Sequence, residues 1–522
     1  MAYDYIPVRR NQVMLLPVDM NDWLEDTHLA KFVAAMVDRF DTTVLHDAHP
    51  NVGPGRPAYD PEMMLALLVY AYAIGTRSSR RIEASCRTDA AFRYLTGGLV
   101  PDHATIARFI VDQQDAMEPL FVSGLRVMDH AGMVDLSLLA IDGTKMAANA
   151  SLRANHTKEW IRTQVKALLE ATLASEATEE AGAAVDAMSA AAISGVLGRL
   201  ARLDAAMDAI EAEDAAQAAE RAARTEPARA KAETGKKLGG RKPKDPAAAL
   251  ARAEAEYEAV RTRLEAKAAK RAALEAAAAA ESRAVKGPAP KPDASLEKAE
   301  AALAAAEAAL DAAPVVRTRA NTTDADSRVM KTQKGYLQGY NAQSAVTLNG
   351  IVVGSFVTNA AVDVHQLEPM LAQIAANPAL AGCLPPDGFT VDADAGYWSE
   401  ANAGLAGQTE LASPQLLIAT QKDWKQRKAA QQAGTTVGEP PEGASALEAM
   451  EHRLRTAEGA ATYRRRSSTV EPVFGDCKHN SGYRSFRRRG LPAVGAEWAL
   501  INLTHNLTKL YHHVLRPDPA EG

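Results

Sequence analysis

The chain has 522 residues, 47% of them hydrophobic and 24% charged, with a formal net charge of −6. That length exceeds one compact core and predicts two or three domains, and the composition argues against a disordered or fibrous chain. Three widely spaced cysteines, Cys86, Cys383 and Cys477, indicate neither a disulfide framework nor a zinc site. We expect a cytoplasmic protein, because no apolar run reaches the roughly 20 residues of a membrane span and no signal peptide is recognisable.

Helix signals dominate the first part of the chain. Asp60 precedes an apolar stretch as the start of a helix, with Pro61 in its first turn, where proline is tolerated, and Asp102 is in the position of an N-terminal cap. Between them we predict a serine-capped basic segment at 78–83 and a short helix at 89–95. Short helices with a Gly-Gly turn before the last of them resemble a helix-turn-helix array, although a plain helical bundle fits equally well. We predict an N-terminal helical domain over residues 1–130. Its candidate DNA contacts are Arg77, Arg80, Arg81 and Arg108.

A long alanine-rich stretch, 157–313, has a different pattern. Apolar residues recur at alternating steps of four and three, as at Leu203, Met207 and Ile210, with alanines in the remaining positions. This periodicity predicts an inserted antiparallel helical hairpin or small coiled coil, broken by Gly- and Pro-rich segments at 239–246 and 287–292. Dimerisation or partner binding would suit such an insertion. A solvated insertion fits as well, since alanine seams bury little surface.

The rest of the chain alternates strand and helix signals. Asn349-Gly350 predicts a hairpin turn, Ser399 predicts the start of a helix, and 425–450 has the composition of a loop. The predicted strands are 138–142, 339–347, 351–357, 389–394 and 416–419. We predict an α/β catalytic domain, formed by 131–156 and 314–515, with a mixed five-stranded sheet and flanking helices.

Two predicted strands end in aspartate. Asp142 closes an apolar run, and Asp394 follows another. A carboxylate beside a buried strand is costly unless it is paired or binds a metal ion. Asp392 is a rival to Asp394, because residues two apart lie on the same side of a strand.

A basic segment near the C-terminus contains a single carboxylate, Glu471. Lys478 lies seven positions later and therefore near the same helix face after two turns. A carboxylate among cations suits a site that holds a divalent metal and a phosphate, although a solvated ion-pair face has the same pattern. Pro472 predicts a helix start nearby, with Ser468 or Thr469 as the cap.

These segments together resemble the DDE transposases of bacterial insertion sequences, within the ribonuclease H-like superfamily. The likeness covers most of the chain except 157–313, and it includes the N-terminal region 56–109 and the C-terminal segment 489–507. The matching segments are Ile141-Asp142-Gly143-Thr144-Lys145, Asp326-Ser327-Arg328-Val329-Met330-Lys331, Gly339-Tyr340-Asn341-Ala342-Gln343, Asp394-Ala395-Gly396-Tyr397 and Val470-Glu471-Pro472-Val473-Phe474-Gly475.

The resemblance implies a ribonuclease H-like fold and a catalytic triad of Asp142, Asp394 and Glu471. This triad would bind Mg²⁺, with Mn²⁺ as a substitute, for cleavage of transposon-end DNA and strand transfer into target DNA. The family signature of Tyr, Arg, Glu and Lys falls on Tyr463, Arg466, Glu471 and Lys478, with Arg466 five positions before Glu471 where four is commoner.

The implied partner is double-stranded DNA, both terminal inverted repeats and target, bound by a homodimer associated with the bacterial nucleoid. Tyr483 and Phe486 lie among arginines, an arrangement that suits a DNA path, although a solvated basic face also fits. His365 is a further candidate neighbour of the site. The predicted DNA contacts are Lys478, Arg466, Tyr463, Arg328, Lys331, Lys334, Arg484, Arg487, Arg488 and Arg489.

Two alternatives stay open at this stage. The chain could be a transposase-derived DNA-binding protein that no longer cuts, although all three carboxylates are present. It could also be a metal-dependent nuclease that hydrolyses DNA without strand transfer.

Overall fold

The computed structural model describes residues 5–6, 19–46, 57–180, 190–233, 246–280, 294–312, 318–385, 388–405, 414–422, 425–426, 428, 432 and 434–515. The chain forms two units, one of Met1–Ala154 with Thr323–Gly522 and one of Asn155–Thr322. The predicted helix break at 287–292, residues 239–245 of the break at 239–246, and part of the predicted loop 425–450 lie outside the described residues.

The described strands are β1 (Tyr5–Ile6), β2 (Ala58–Tyr59), β3 (Leu138–Ala147), β4 (Asn155–Thr157), β5 (Arg319–Asn321), β6 (Arg328–Thr332), β7 (Gly335–Thr347), β8 (Val352–Thr358), β9 (Thr390–Ala393) and β10 (Gln415–Ile418). The described α-helices are α1 (Leu29–Val37), α2 (Thr43–His46), α3 (Pro61–Ala73), α4 (Ser79–Thr88), α5 (Ala90–Thr96), α6 (His103–Asp112), α7 (Met117–His130), α8 (Lys158–Glu180), α9 (Ala190–Glu233), α10 (Pro246–Ala280), α11 (Ala294–Asp311), α12 (Leu367–Ala376), α13 (Glu400–Ala403), α14 (Ala446–Arg455), α15 (Ala457–Gly475) and α16 (Leu491–Leu515).

The predicted helix starts in the N-terminal region are confirmed. Asp60, Asp89 and Asp102 each accept hydrogen bonds from two backbone N–H groups in the first turn of α3, α5 and α6. These bonds satisfy donors that a helix N-terminus otherwise leaves unpaired. Helix α3 is apolar nearly all round, and it is buried against α1, α5 and α16.

A mixed sheet forms the centre of the first unit. Its order is β10-β9-β3-β7-β6, and β8 also pairs with β7. Strands β9 and β10 run parallel to β3, whereas β7 is antiparallel to β3, β6 and β8. The sheet has six strands rather than the predicted five. Strand β7 begins at Gly335, four residues earlier than predicted, and its first five residues pair with β6.

The second unit contains the short antiparallel pair β4–β5 and helices α8 to α11. Helix α10 packs against both α9 and α11. Leu203, Ala206 and Ile210 of α9 are buried, whereas Leu197 and Leu274 are exposed. The predicted helical character is confirmed, and the coiled-coil geometry stays a prediction. Of the helices that the structure describes in either unit, none is both long and apolar enough to cross a membrane.

Two predictions for the C-terminal region are wrong. Residues 446–450 belong to helix α14 rather than to a loop, and Ser445 caps that helix. Helix α15 begins after Thr456, not at Ser468 or Thr469, and it contains Pro472 in its last turn. Pro472 is exposed while Val470 and Val473 are buried. Because the buried face continues past the proline, packing outweighs the hydrogen bond that proline cannot donate.

Candidate active site

Strands β3 and β9 place Asp142 beside Asp394. Ala140 pairs with Asp392, and Ile141 pairs with Ala393. Asp142 follows Ile141 and Asp394 follows Ala393, so the two aspartates occupy the next pair of neighbouring positions. Backbone N–H groups hold both carboxylates, from Gly143 to Asp142 at 2.7 Å and from Gly396 to Asp394 at 2.8 Å. Burial, followed by the negative charge of Asp394, raises the pKa of Asp142 to about 7. Two acidic groups in one partly buried place favour a bound cation.

Arg466 of α15 neutralises Asp142. Its Nη1 lies 3.1 Å from Asp142 Oδ2, and only 6% of its side chain is exposed. The guanidinium also lies 5.8 Å from the ring centre of the half-buried Tyr463. In this arrangement the predicted DNA contact Arg466 binds a catalytic candidate instead of facing solvent.

Asp392, the rival of Asp394, is completely buried. Among the described residues neither of its carboxylate oxygens has a hydrogen-bond partner, and burial raises its pKa to about 7. Asp394 is partly exposed at the end of the strand. A substrate phosphate would therefore reach Asp394 more readily than Asp392.

Lys478 lies against the strand that carries Asp142. Its Nζ donates to Thr144 Oγ1 and, at 3.2 Å, to the carbonyl oxygen of Lys145. Burial lowers the pKa of Lys478, and the nearby charge of Asp142 partly offsets that effect. The lysine belongs to a π-helical turn, Asp476–Asn480, that follows α15. Both Arg466 and Lys478 therefore contact β3 from one continuous helical segment.

Glu471 lies on the same segment but is exposed. It is five residues from Arg466, which turns it by about 140° around the helix from the side chain that contacts Asp142. Among the described residues, no group of three or more His, Cys, Asp or Glu side chains is arranged to hold a metal ion. The structure thus brings Asp142 and Asp394 together and leaves Glu471 outside their immediate cluster.

Asp363 is an acidic residue that the sequence analysis missed. It follows β8 and contributes, with Asp394, to the raised pKa of Asp142. In this segment the sequence pattern indicated only the neighbouring His365, which is exposed. The available signal was the glycine that accompanies each predicted aspartate, Gly143 and Gly396, because glycine permits close approach of another side chain.

Only some of the predicted DNA-contacting arginines and lysines are exposed to solvent. Lys331, Lys334, Arg484, Arg487 and Arg489 are exposed, and Arg488 is half-buried. Arg328 is half-buried too, and its Nη1 donates to the carbonyl oxygens of Ala325 at 2.7 Å and Ser327 at 3.2 Å.

The aromatic residues among the arginines belong to the core. Tyr483 is 3% exposed and Phe486 is 1% exposed. The interpretation that these rings line a DNA path is wrong, because rings packed inside the protein cannot stack on bases. Their burial instead fixes the backbone from which the exposed arginines project.

Comparison with protein families indicates which class of protein this chain resembles. Residues 18–112 match the family model described as Transposase domain (DUF772), and residues 425–511 match the Transposase DDE domain. Together the two matches support a DDE transposase of an insertion sequence. No match was found among curated proteins or solved structures.

The two matched segments cover different parts of the transposase. The first contains α1 to α6, and the second contains Arg466, Glu471 and Lys478. Asp142 and Asp394 lie between the matched segments. Their assignment depends on the resemblance of the surrounding sequence and on the geometry described above.

The raised pKa of Asp142 predicts how stability depends on pH when no metal is bound. Between the ordinary value of 3.8 and about 7, the folded transposase retains a proton that the unfolded chain releases. The free energy of unfolding should therefore fall as pH rises through this window, by on the order of 2–4 kcal/mol. Thermal unfolding in EDTA should show that Asp142→Asn becomes increasingly stabilising, relative to wild type, over the same range. Parallel curves for the two proteins would contradict this prediction.

Proposed function

We propose that this transposase cleaves the ends of its own element and joins the freed 3′-hydroxyl groups to target DNA. Asp142, Asp394 and Glu471 would be the catalytic carboxylates. The observation that carries the proposal is the placement of Asp142, within β3, next to Asp394, which directly follows the neighbouring strand β9, in a chain with two transposase domain matches.

The sheet supports a ribonuclease H-like catalytic domain over 131–156 and 314–515. Its central strand β3 has an antiparallel neighbour on one side and parallel strands on the other. We assign residues 1–130 to an N-terminal DNA-binding domain and residues 157–313 to a helical insertion. Dimerisation through a coiled coil is our proposal for the insertion.

The chemistry of the site fits a divalent cation of the Mg²⁺ or Mn²⁺ type. Carboxylate oxygens are the protein ligands that these ions prefer, and the two aspartates bring such oxygens to one edge of the site, where Arg466 contacts Asp142. Bound metal would activate an oxygen nucleophile and neutralise charge developing on the phosphate. Arg466 would orient Asp142, and the N–H groups of Gly143 and Gly396 would hold the two carboxylates in place.

Glu471 would join the aspartates when DNA is bound. Arg466 and Lys478 flank Glu471 in sequence, and both already contact β3, so their helical segment lies next to the site. The contacts of a catalytic site commonly tighten only in the complex with substrate. A rotation of the exposed Glu471 side chain, with a shift of the helix, would bring the third carboxylate closer.

Double-stranded DNA is the proposed partner, bound as terminal inverted repeats and as target. The exposed arginines 484, 487 and 489, with Lys331 and Lys334, provide positive charge for phosphate contacts. Joining two ends requires two active sites, which a homodimer on DNA would supply. Such a reaction takes place on the nucleoid in the cytoplasm.

The test uses labelled DNA that carries the terminal repeats flanking the gene, with Mg²⁺ and a target plasmid. We expect labelled ends joined to target, a product that requires both cleavage and strand transfer. Nicked ends without joined products would indicate a nuclease, and shifted but intact DNA would indicate a DNA-binding protein that no longer cuts. Either of these results would contradict the proposed function.

A further inference from the structure

An aromatic ring is exposed near the tip of the hairpin that β6 and β7 form. Tyr336 is 66% exposed, and Val329, its diagonal neighbour across the hairpin, is 48% exposed. Among the Phe, Tyr and Trp side chains that the structure describes, Tyr336 is the most exposed. We propose that Tyr336 stacks on an unpaired base of the transposon-end DNA. This inference rests on the proposed function and adds a base contact to it.

The hairpin extends beyond the centre of its sheet. Residues 335–339 of β7 pair with β6, whereas residues 339–347 pair with β3. Hydrogen bonds within the turn hold the tip in one shape, because Thr332 Oγ1 donates to the carbonyl oxygen of Gly335 at 3.0 Å and accepts the N–H of Lys334 at 3.3 Å. The ring is therefore presented on a formed hairpin, which lowers the cost of ordering it on DNA.

Strand register places Tyr336 on the sheet face that carries Asp142. Residues paired directly across two strands share a face, and so do alternate residues of one strand. Asp142 pairs with Ser344, and Tyr336 lies eight positions before Ser344 on β7. Eight residues of strand extend about 27 Å, the length of about eight base pairs of DNA. DNA that reaches both Asp142 and Tyr336 would thus span less than one helical turn.

The charge of the hairpin matches a nucleic-acid partner. Residues 328–338 include three basic side chains and no acidic one. Lys331 pairs directly with Tyr336, and both Lys331 and Lys334 are exposed. Lysines bind phosphate oxygens, while the face of a base covers an aromatic ring. Lysines on an edge strand also discourage association between sheets, but that role does not explain a largely exposed tyrosine between them.

The exposed ring determines which part of the DNA it contacts. In a duplex the neighbouring bases cover both faces of each base, and only the base edges are accessible in the grooves. An aromatic side chain therefore stacks on a base that is unpaired or lies at a duplex end. Tyr483 and Phe486, in the arginine-rich segment, are buried and cannot make this contact. Of these three described rings, Tyr336 is the one available for stacking.

The experiment is a fluorescence titration of terminal-repeat DNA with the full-length protein in EDTA, which prevents cleavage. The DNA carries the fluorescent base 2-aminopurine opposite an abasic site, because an unpaired base leaves the stack at least cost. The fluorescent base is moved one position at a time along the repeat in separate duplexes. We expect the wild type to quench the fluorescence by stacking at one position or two neighbouring ones, about eight base pairs from the cleavage site.

Tyr336→Ala should abolish this quenching and weaken binding to the same duplex about tenfold, the effect of losing one base–aromatic stack. Tyr336→Phe keeps the ring and should retain both the quenching and the affinity. Binding of a fully paired duplex should stay within about twofold in both variants, because phosphate contacts dominate it. The matched control, Lys331→Ala with Lys334→Ala, should weaken binding of both duplexes and reduce its salt dependence. Thermal unfolding reports on the folding of each variant.

Quenching that persists in Tyr336→Ala would overturn the inference. An equal loss of affinity for the paired and the unpaired duplex would overturn it too, because the ring would then lie in a groove. Unchanged DNA binding with lost self-association in sedimentation would make the hairpin a protein interface instead. These results leave the proposed function intact, since the strand-transfer assay on the wild type tests it separately. A wild-type protein that binds none of these duplexes would contradict the proposed function itself.

Discussion

A transposase with Asp142→Asn or Asp394→Asn is expected to cleave transposon ends at least about 10³-fold more slowly than wild type. Loss of one carboxylate removes a ligand from the centre that stabilises the transition state, and about 4 kcal/mol of lost stabilisation gives this factor. Binding of terminal-repeat DNA should stay within a fewfold of wild type, because phosphate contacts with arginine and lysine dominate affinity. Single-turnover cleavage and a gel-shift titration on the same DNA measure the two effects separately.

Asp392→Asn is the control for this experiment. Asp392 has the same side chain and lies two residues from Asp394, but it is fully buried. Its change to asparagine should leave cleavage within about tenfold of wild type, because the amide has nearly the same size. A protein that cuts normally without Asp142, or that fails only without Asp392, would contradict the assignment.

The parts of the fold that depend on local chemistry were predictable from the sequence. Asp60, Asp89 and Asp102 cap the helices that follow them, since a cap depends on a few neighbouring residues. The proximity of Asp142 and Asp394 was also predictable in outline, because carboxylates beside two buried strands need a shared cation to compensate them. Strand register then fixed their proximity.

Features that depend on tertiary packing were not predictable. Pro472 indicated a helix start, yet the buried residues Val470 and Val473 keep α15 continuous around it. Tyr483 and Phe486 suggested stacking on DNA, and only the structure shows that they are core residues. A sequence pattern does not distinguish an aromatic ring that packs in the protein core from an exposed ring that can stack on a nucleic-acid base.

Asp363 illustrates the same limit within the site. It follows β8 in a segment without hydrophobic periodicity, and its neighbours Asn341 and Gln343 are about 20 positions earlier in the chain. Their contact arises because β7 and β8 pair in antiparallel register, which brings Asn341 opposite Thr358. Only the glycines at 143 and 396 hinted that another side chain approaches the aspartates.

The second large effect is expected at Glu497, which links the N-terminal helices to the arginine-rich segment. Its Oε2 accepts the backbone N–H groups of Arg487 at 2.8 Å and Arg488 at 3.0 Å, and its Oε1 lies 3.5 Å from Arg77 Nη1. Both side chains are buried, with 0% of Glu497 and 6% of Arg77 exposed. Glu497→Ala leaves a buried arginine without its counter-charge and two backbone donors without their acceptor.

We expect Glu497→Ala to lower the free energy of unfolding by about 3–5 kcal/mol, the typical effect of removing one partner of a buried ion pair. Urea unfolding of the metal-free protein measures it. Arg77→Met combined with Glu497→Ala should be less destabilising than the sum of the single changes, because the double variant leaves no unpaired buried charge. Additive losses would show that the two side chains are not coupled.

The same variant should also weaken DNA binding under conditions where it is folded. Arg77 donates to the Ser485 carbonyl oxygen at 2.8 Å and lies 4.4 Å from the centre of the Tyr483 ring, so Arg77 and Glu497 together fix the backbone between 483 and 488. Without that constraint the exposed arginines would lose conformational order before binding, and ordering them would reduce affinity. Gel shifts at low temperature should therefore show weaker binding for Glu497→Ala than for wild type. Equal affinity would mean that the arginines of this segment do not contact DNA.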